Sequence, residues 1–387
     1  MKHSGTCTIL GQLNAQLGSS RTVLRVESPI LFEGAVLSVA RTGVANYVAE
    51  LAKGLSRRGI DTALCLATRA DESHRDIRDA GVKVLTPNHR IHQAYWALDR
   101  LGRAPEYSRL ACESRATIFA NNRMFPTSKP SIATIHDLVH LRYPDFIDQR
   151  WAQRVTKRIN YIIKHADAIL VDSLAVRDEV LEAFSLTEER VHLVSCAANP
   201  LSILPRGNDP LTGPVIAVGT FERRKNLVNL VRAHQLLSSD LRRRHPLHLI
   251  GGSGFGAEEV FAAAQGDPHI TLRQGVDQAE LARTYASAAL FVQASVYEGF
   301  GIPPLEAALA GVPVVCASTA VLREVTGDAA IAYFDPRSPS HIAECLENVL
   351  DHDHADRATA LRTSAARYTW EKSVEQLREV LVQLGVA

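Results

Sequence analysis

Two carboxylates, Glu298 and Glu306, flank a glycine-rich turn in the run Val296-Tyr297-Glu298-Gly299-Phe300-Gly301-Ile302-Pro303-Pro304-Leu305-Glu306-Ala307. Carboxylates make poor partners for phosphate and good acceptors for vicinal hydroxyls, so the pair suits two polyols, one a sugar and the other a ribose. Gly299 and Gly301 open the backbone to close approach, and Pro303 and Pro304 suit a helix start, where missing N–H groups cost nothing. Backbone N–H groups at such a start, with the helix dipole behind them, attract an anion. A polyol held beside a phosphate is the chemistry this layout offers. A strand, loop and helix carrying two solvated glutamates is the alternative reading of the same residues.

Two further places carry charge or imidazole at a strand end. Gly219-Thr220-Phe221-Glu222-Arg223-Arg224-Lys225-Asn226 follows an apolar strand and precedes a helix with apolar Leu227, Leu230 and Val231. Two cations there suit a departing diphosphate, Arg224 through its planar fork and Lys225 as a compact point charge. A solvated helix start is the plainer alternative. His136 ends the run Ser131-Ile132-Ala133-Thr134-Ile135-His136-Asp137-Leu138, where it is either structural or a group that orients a substrate, and Asp137 either joins it or caps the next turn. Gly43, at the head of a helix running to Arg57, invites close approach of backbone to a phosphate or sugar, with plain helix entry as the alternative.

These residues need a frame, and the hydrophobic pattern supplies one. Short apolar strands at residues 22–27, 62–67, 82–85, 116–119, 131–135, 168–171 and 191–194 alternate with helical stretches, which predicts βαβ units and a parallel sheet. Residues 199–214 are dense in Pro, Gly, Asn and Asp and read as an interdomain linker. The alternation restarts at 215–218, 247–250, 270–272, 290–292 and 313–316, so a second doubly wound domain follows and the strand ends of both sheets open onto one cleft. The expected division is residues 1–203, with 1–20 a loose extension, then 204–367, then a terminal amphipathic helix at 368–387.

Composition narrows the classes. At 387 residues with 46% hydrophobic content the chain is too large and apolar for a small binding module. The six cysteines lie far apart, with no Cys-x-x-Cys pair, so neither a zinc site nor a disulfide framework is indicated. Net charge is +1, split as an excess of five basic residues over 1–200 and of four acidic residues beyond. Nothing resembles a basic tract interleaved with aromatics, so nucleic acid is not an expected partner. Part of the N-terminal excess falls on Arg150, Arg154, Lys157, Arg158 and Lys164, either a solvated helix face or a foothold on anionic lipid. No apolar run approaches the roughly 18 residues that span a bilayer, and a leader peptide is not apparent, so a cytoplasmic chain, at most peripheral at the inner face of the membrane, is expected.

Two decoys are weighed on context. Gly252-Ser253-Gly254-Phe255-Gly256-Ala257 satisfies the dinucleotide pattern, but Leu272-Arg273-Gln274 stands where an NAD site needs an acidic residue, leaving only an unsupported NADP reading. Asp351-His352-Asp353-His354 sits between two predicted helices and reads as a solvated junction rather than a metal site.

The run from Glu298 to Glu306 resembles the Glu-x7-Glu signature of the retaining glycosyltransferases of family 4, which have the GT-B architecture of two Rossmann-like α/β domains facing across a cleft. The flanking Ala308-Leu309-Ala310-Gly311-Val312-Pro313-Val314-Val315 and Leu322-Arg323-Glu324-Val325-Thr326-Gly327-Asp328-Ala329-Ala330 continue the likeness, which is most specific from 219 to 336. The resemblance implies a nucleotide-sugar donor as co-substrate, no metal and no other cofactor. It implies Glu306 on ribose, Glu298 with the Gly299-Phe300-Gly301 amides on the sugar, Arg224 and Lys225 on the diphosphate and in support of the leaving group, and His136 on the sugar hydroxyls. Gly43, Gly219 and Leu305 are expected at the same site. The loop at Gly43 departs from the family pattern in having Thr42 and Ala45 around a single glycine. The wording of residues 301–306 is reminiscent of mannosyl- and rhamnosyltransferases of surface-polysaccharide assembly, which implies GDP-mannose and a glycan or lipid-linked saccharide acceptor. The resemblance also implies that the terminal helix crosses back onto the first domain. A sugar-nucleotide epimerase, a phosphorylase of the same architecture and a catalytically silent sugar-nucleotide binder remain as alternatives.

Overall fold

The computed structural model of the protein describes residues 28–38, 42–67, 74–86, 95, 107, 113–127, 130–198, 204 and 212–386. The first half runs β1 (Ile30–Glu33), α1 (Gly43–Arg57), β2 (Thr62–Cys65), α2 (Arg75–Asp79), β3 (Lys83–Leu85), β4 (Ala116–Phe119), β5 (Ser131–Ile135), α3 (Val139–Arg142), α4 (Gln149–His165), β6 (Ala168–Val171), α5 (Leu174–Phe184) and β7 (Val191–Leu193). The second runs β8 (Val215–Val218), α6 (Leu227–Leu236), α7 (Ser239–Arg244), β9 (Leu247–Ile250), α8 (Ala257–Ala264), β10 (Ile270–Arg273), α9 (Gln278–Ser287), β11 (Leu290–Gln293), α10 (Ile302–Leu309), β12 (Val314–Ala317), α11 (Ala320–Thr326) and β13 (Ala332–Phe334). Three helices close the chain: α12 (Pro339–Leu350), α13 (Ala355–Ala365) and α14 (Trp370–Gln383).

The central strands are short apolar runs buried on both faces, as a parallel sheet covered by helices requires, while the edge strands β3 and β10 are partly exposed. Among the described residues the sheets are ordered β3-β2-β1-β4-β5-β6-β7 and β10-β9-β8-β11-β12-β13, with every pairing parallel. Strand order therefore reverses between β1 and β4 in one sheet and between β8 and β11 in the other. Helices on either side of such a point leave in opposite directions, which opens a crevice at the carboxyl ends of the strands.

The central strand β1 was not anticipated, because Pro29 precedes it and only Ile30, Leu31 and Phe32 mark it as apolar. The strand expected at 22–27 and most of the linker expected at 199–214 lie outside the described residues. The short edge strand β13 also escaped the sequence pattern.

The halves touch along one side of the cleft through named polar contacts. Helix α5 begins with orphan amides, as any helix does. Its N-cap Ser173 accepts from Val176 N at 3.2 Å, while Leu174 N and Ala175 N donate to Glu324 of α11, in the other half, at 2.8 and 2.9 Å. Ser173 also donates to Gly299 O at 2.8 Å. Tyr297 Oη accepts from Leu138 N at 2.9 Å and donates to Glu179 at 2.7 Å. At the far end α14 lies on α1, with Ser195 N and Oγ each donating to Gln376 Oε1 at 3.0 Å and an Arg58–Glu375 ion pair at the rim. A side chain at Gly54 would place its Cβ 2.2 Å from Val374, so this glycine sets how closely the two helices approach.

Glu324 is thus a carboxylate cap lent by one half to a helix of the other. Removing such a cap costs about 1 kcal/mol. Glu324→Ala is expected to speed hydrogen exchange at amides 174 and 175 roughly fivefold and to enlarge the radius of gyration by small-angle scattering. Unchanged exchange would show that the other contacts hold the halves together unaided.

Candidate functional site

The β8/β11 crevice gathers the charged residues. Beyond β8 the chain turns at Gly219, whose φ of 148° favours glycine. The segment Arg223–Lys225 then makes a single tight turn ended by Asn226 in the left-handed conformation, φ 59°. The Asn226 amide nitrogen donates to Ala294 O at 3.0 Å and Pro336 O at 2.6 Å, and Val296 N donates to Arg224 O at 3.0 Å. This lacing fixes the cation-bearing turn against the exit of β11.

Glu298 lies at the focus, only 5% exposed. Its Oε2 accepts from Arg224 Nη1 at 2.8 Å, and its Oε1 accepts from Lys225 Nζ, Gln293 Nε2 and Ser295 Oγ, each at 2.6 Å. Arg224 Nη2 lies 2.7 Å from Glu222 Oε1, so two carboxylates and two cations form a neutral cluster. Burial alone would raise the Glu298 pKa, but Lys225 and Arg224 outweigh it and hold the group down at about 2. Burial also works against both cations: it prevails at Lys225, whose pKa is lowered, and is outweighed at Arg224 by Glu298 and Glu222. The sequence expectation separated Glu298 from the cations. The structure pairs them, because a carboxylate this deeply buried needs its counter-charges at hydrogen-bond distance.

Glu306 stands apart. It sits in α10 and accepts from Tyr285 Oη at 3.1 Å, with no cation at hydrogen-bond distance among the described residues, and burial raises its pKa to about 7. Helix α10 begins at Ile302 behind Gly301, whose φ of 105° strongly favours glycine. Gly43, the first residue of α1, faces that start across the cleft: a Cβ on it would lie 3.3 Å from Ile302 Cδ1. The amino ends of two helices therefore converge beside Glu298 and Glu306.

Three of the expected site residues turn their side chains inward. Leu305 is wholly buried with its side chain in the core, so it holds α10 against the sheet and does not present a side chain to a ligand. Phe300 is 5% exposed and packs edge-on against Tyr368, so its backbone, the part expected at the site, is what it can turn to the cleft. The His136 ring turns inward: Nδ1 is 2.7 Å from Asp172 Oδ2, Nε2 is 3.2 Å from Ala120 O, and Tyr47 packs against it in a T-shaped arrangement. Burial disfavours a charged ring, but Asp172 outweighs it and raises the pKa. With a carboxylate and a carbonyl at its two nitrogens, the ring has no acceptor or donor turned toward a sugar. What His136 offers the cleft is its carbonyl, which would lie 2.1 Å from a Cβ at Gly299; only glycine allows the two loops to meet. Asp137 accepts from Val139 N at 3.1 Å, in keeping with the capping alternative.

Several residues of this site were not singled out from sequence. Gln293, the last residue of β11, and Ser295, two residues beyond it, are polar positions in an otherwise apolar run, and such buried polar residues signal a partner that must be neutralised or bound. Glu222, Tyr285 and Asp172 gave no comparable sign. The glycine-rich loop 251–256 does structural work: a Cβ at Gly251 would fall 1.9 Å from Gly219 O, and Gly256 opens α8 in the left-handed conformation. Among the described residues no group of three or more His, Cys, Asp and Glu comes together as metal ligands would, and residues 351–353 are exposed.

Comparison with known proteins agrees with this geometry. Residues 212–382 match the family described as glycosyl transferases group 1, and residues 41–200 match Glycosyltransferase Family 4. The O-antigen chain mannosyltransferase B of Escherichia coli is 30% identical over 261 residues, 64% of this chain and 68% of that protein. Among solved structures, the sucrose-phosphate synthase of Thermosynechococcus elongatus superposes with a TM-score of 0.70 at 20% identity, covering 93% of this chain and 99% of that one. Anabaena Alr3699/HepE, solved in complex with UDP-glucose, gives 0.69 at 16% identity over 92% and 100% of the two chains. Two parallel-sheet domains, a shared crevice and matches spanning both halves lead to one conclusion: the chain belongs to the group 1 glycosyl transferases and has the GT-B fold.

Proposed function

We propose that the chain is a retaining glycosyltransferase that moves mannose from GDP-mannose to a hydroxyl of a glycan or lipid-linked saccharide in surface-polysaccharide assembly. The observation that carries this reading is the neutral Glu222–Arg224–Lys225–Glu298 cluster beside the converging starts of α1 and α10. An incoming diphosphate competes with Glu298 for Arg224 and Lys225 and adds the backbone donors of α10. Glu298, released from part of its pairing, then accepts hydroxyls of the sugar, and Glu306 those of the ribose. As the bond between the anomeric carbon and the phosphate oxygen breaks, the two cations stabilise the diphosphate left behind. The acceptor hydroxyl attacks from the same face and its proton passes to the leaving phosphate oxygen. None of these steps calls for a metal. The relative named a mannosyltransferase supports the choice of mannose. The fold itself also hosts a UDP-sugar in Anabaena HepE, so the base must be read by titration.

A peripheral membrane position belongs to the same proposal. Helix α4 buries Val155, Ile159 and Ile162 and exposes Arg150, Arg154, Lys157 and Lys164, with Trp151 40% exposed at its start. Cations beside an aromatic at the head of an amphipathic helix suit an anionic interface. Among the described residues no helix is long and apolar enough to cross a membrane.

Three outcomes follow. Calorimetric titration of GDP, UDP and dTDP without metal is expected to favour GDP, with Glu306→Gln binding it more weakly. Because the Glu306 pKa sits at about 7, its carboxylate dominates only above that pH; affinity is expected to rise from pH 6 to 8 more in the wild type than in Glu306→Gln. Absence of binding by all three nucleotides would return the phosphorylase and silent-binder readings. Lys225→Ala is expected to lower turnover roughly a hundred- to thousand-fold, the scale of losing one well-placed transition-state donor; unchanged turnover would remove Lys225 from the mechanism. Anionic vesicles are expected to co-sediment the protein at low salt and release it at high salt, and Arg154→Glu with Lys157→Glu to abolish the binding; no sedimentation at low salt would refute the membrane contact.

A further inference from the structure

A second pocket opens beside the nucleotide crevice, over the carboxyl ends of β11, β12 and β13, and encloses about 570 Å3. That is within the roughly 300–1,000 Å3 of small-ligand sites. The Val296–Glu298 loop lines it, whereas Arg224 and Lys225 do not. Both halves contribute to its walls, the first through Tyr143 and Glu179 and the second through Tyr333, Asp335, Arg323 and Arg337.

The charges of these walls cancel. Glu179 and Asp335 oppose Arg323 and Arg337, and Glu298, which also touches the pocket, is already neutralised from behind. His341 accepts from Asp335 N through Nδ1 at 3.3 Å. A neutral polyol can use every part of such a wall. Carboxylates accept from paired hydroxyls, guanidinium groups donate to them, and aromatic faces cover the apolar C–H side of a pyranose. The wall is also pre-ordered. Arg323 is held over the Tyr333 ring at 4.2 Å and donates to Ser318 Oγ through two nitrogens at 2.9 and 3.0 Å, while Tyr333 Oη is fixed by Thr326 and Gly327. Asp335 is oriented by Arg337 N at 2.9 Å. Tyr143 leans on Tyr297 with ring centroids 5.5 Å apart, forming an aromatic roof from the opposite half.

We propose that this pocket is a saccharide subsite separate from the transfer centre, holding one or a few neutral sugar units of the polymer on which the enzyme works. The choice of saccharide rests on the glycosyltransferase reading; the pocket's balanced charge and aromatic walls do not. Contact with both halves lets a bound saccharide retain the glycan between transfers, so the subsite governs affinity for longer chains and leaves the chemical step alone.

Mannotriose and maltotriose, titrated by calorimetry and followed by saturation-transfer NMR, test the proposal on the intact protein with and without saturating GDP. At least one trisaccharide is expected to bind, and GDP not to displace it. Arg337→Ala, an exposed position, and Tyr333→Phe, which keeps the ring and its packing, bracket the site: the first is expected to weaken the trisaccharide about tenfold and the second less, both with the wild-type affinity for GDP. In turnover assays Arg337→Ala is expected to raise KM for a long acceptor and leave kcat unchanged. Lack of binding by either sugar, equal binding by Arg337→Ala, or displacement of the sugar by GDP would each overturn the proposal. Failure of the donor reading would show separately, as loss of nucleotide binding in the wild type.

Discussion

The interaction on which the site depends is the burial of Glu298 with two cations. A carboxylate at 5% exposure is costly unless its oxygens are filled, and here Arg224, Lys225, Gln293 and Ser295 fill them. That demand dictates the surrounding backbone. The cations come from a turn after β8, so the turn must be pinned to the exit of β11, which the Asn226 amide achieves. Gly219 must turn the chain at a φ of 148°, which favours glycine, and Gly251 must let the Gly219 carbonyl pass 1.9 Å from where a side chain would begin. Remove either cation and the carboxylate is left underpaired in a dry place, so its charge and the loop geometry fail together.

The same neutral cluster keeps the two cations ordered, and on the proposed reading its carboxylates are what a dianion displaces. Two cations facing a cleft unpaired would repel each other and draw in any anion. Paired with Glu298 and Glu222 they rest at zero net charge, and only a ligand offering several oxygens at once outcompetes the carboxylates. Glu306 follows the opposite logic. Among the described residues no cation stands at hydrogen-bond distance from it, and burial raises its pKa to about 7. One signature therefore holds two carboxylates in opposite electrostatic states, set by what lies beside each rather than by the residue type they share.

The architecture was legible because β2 to β12, apart from the central β1, are apolar runs whose neighbours have helical period, a pattern that parallel sheets impose. β1 was obscured by Pro29 and β13 by its brevity. The charged members of the crevice were also legible, since Glu298, Arg224 and Lys225 sit at strand ends where ligands gather. Their mutual pairing was not, because spacing of 73 and 74 residues carries no trace of a 2.6 or 2.8 Å contact. His136 shows the same limit. Its place at the end of β5 suggested a ligand contact, and only Asp172, 36 residues later at the end of the neighbouring strand, reveals that the ring is held inward. Leu305 belongs to the signature because α10 must be anchored, a packing role that a motif cannot distinguish from binding.

Closure ties these features together. Gly299 meets the His136 carbonyl, Ser173 reaches the Gly299 carbonyl, and Tyr297 bonds to Leu138 and Glu179, all within three residues of Glu298. The loop that carries the buried carboxylate is therefore also the loop by which the halves grip each other. A change in what Glu298 pairs with acts directly on the interdomain contacts, and a change in closure acts back on Glu298. Because the Glu324 cap on α5 lies on the same side of the cleft, opening must break helix-terminal hydrogen bonds together with the loop contacts, which makes closure a cooperative step rather than a gradual one.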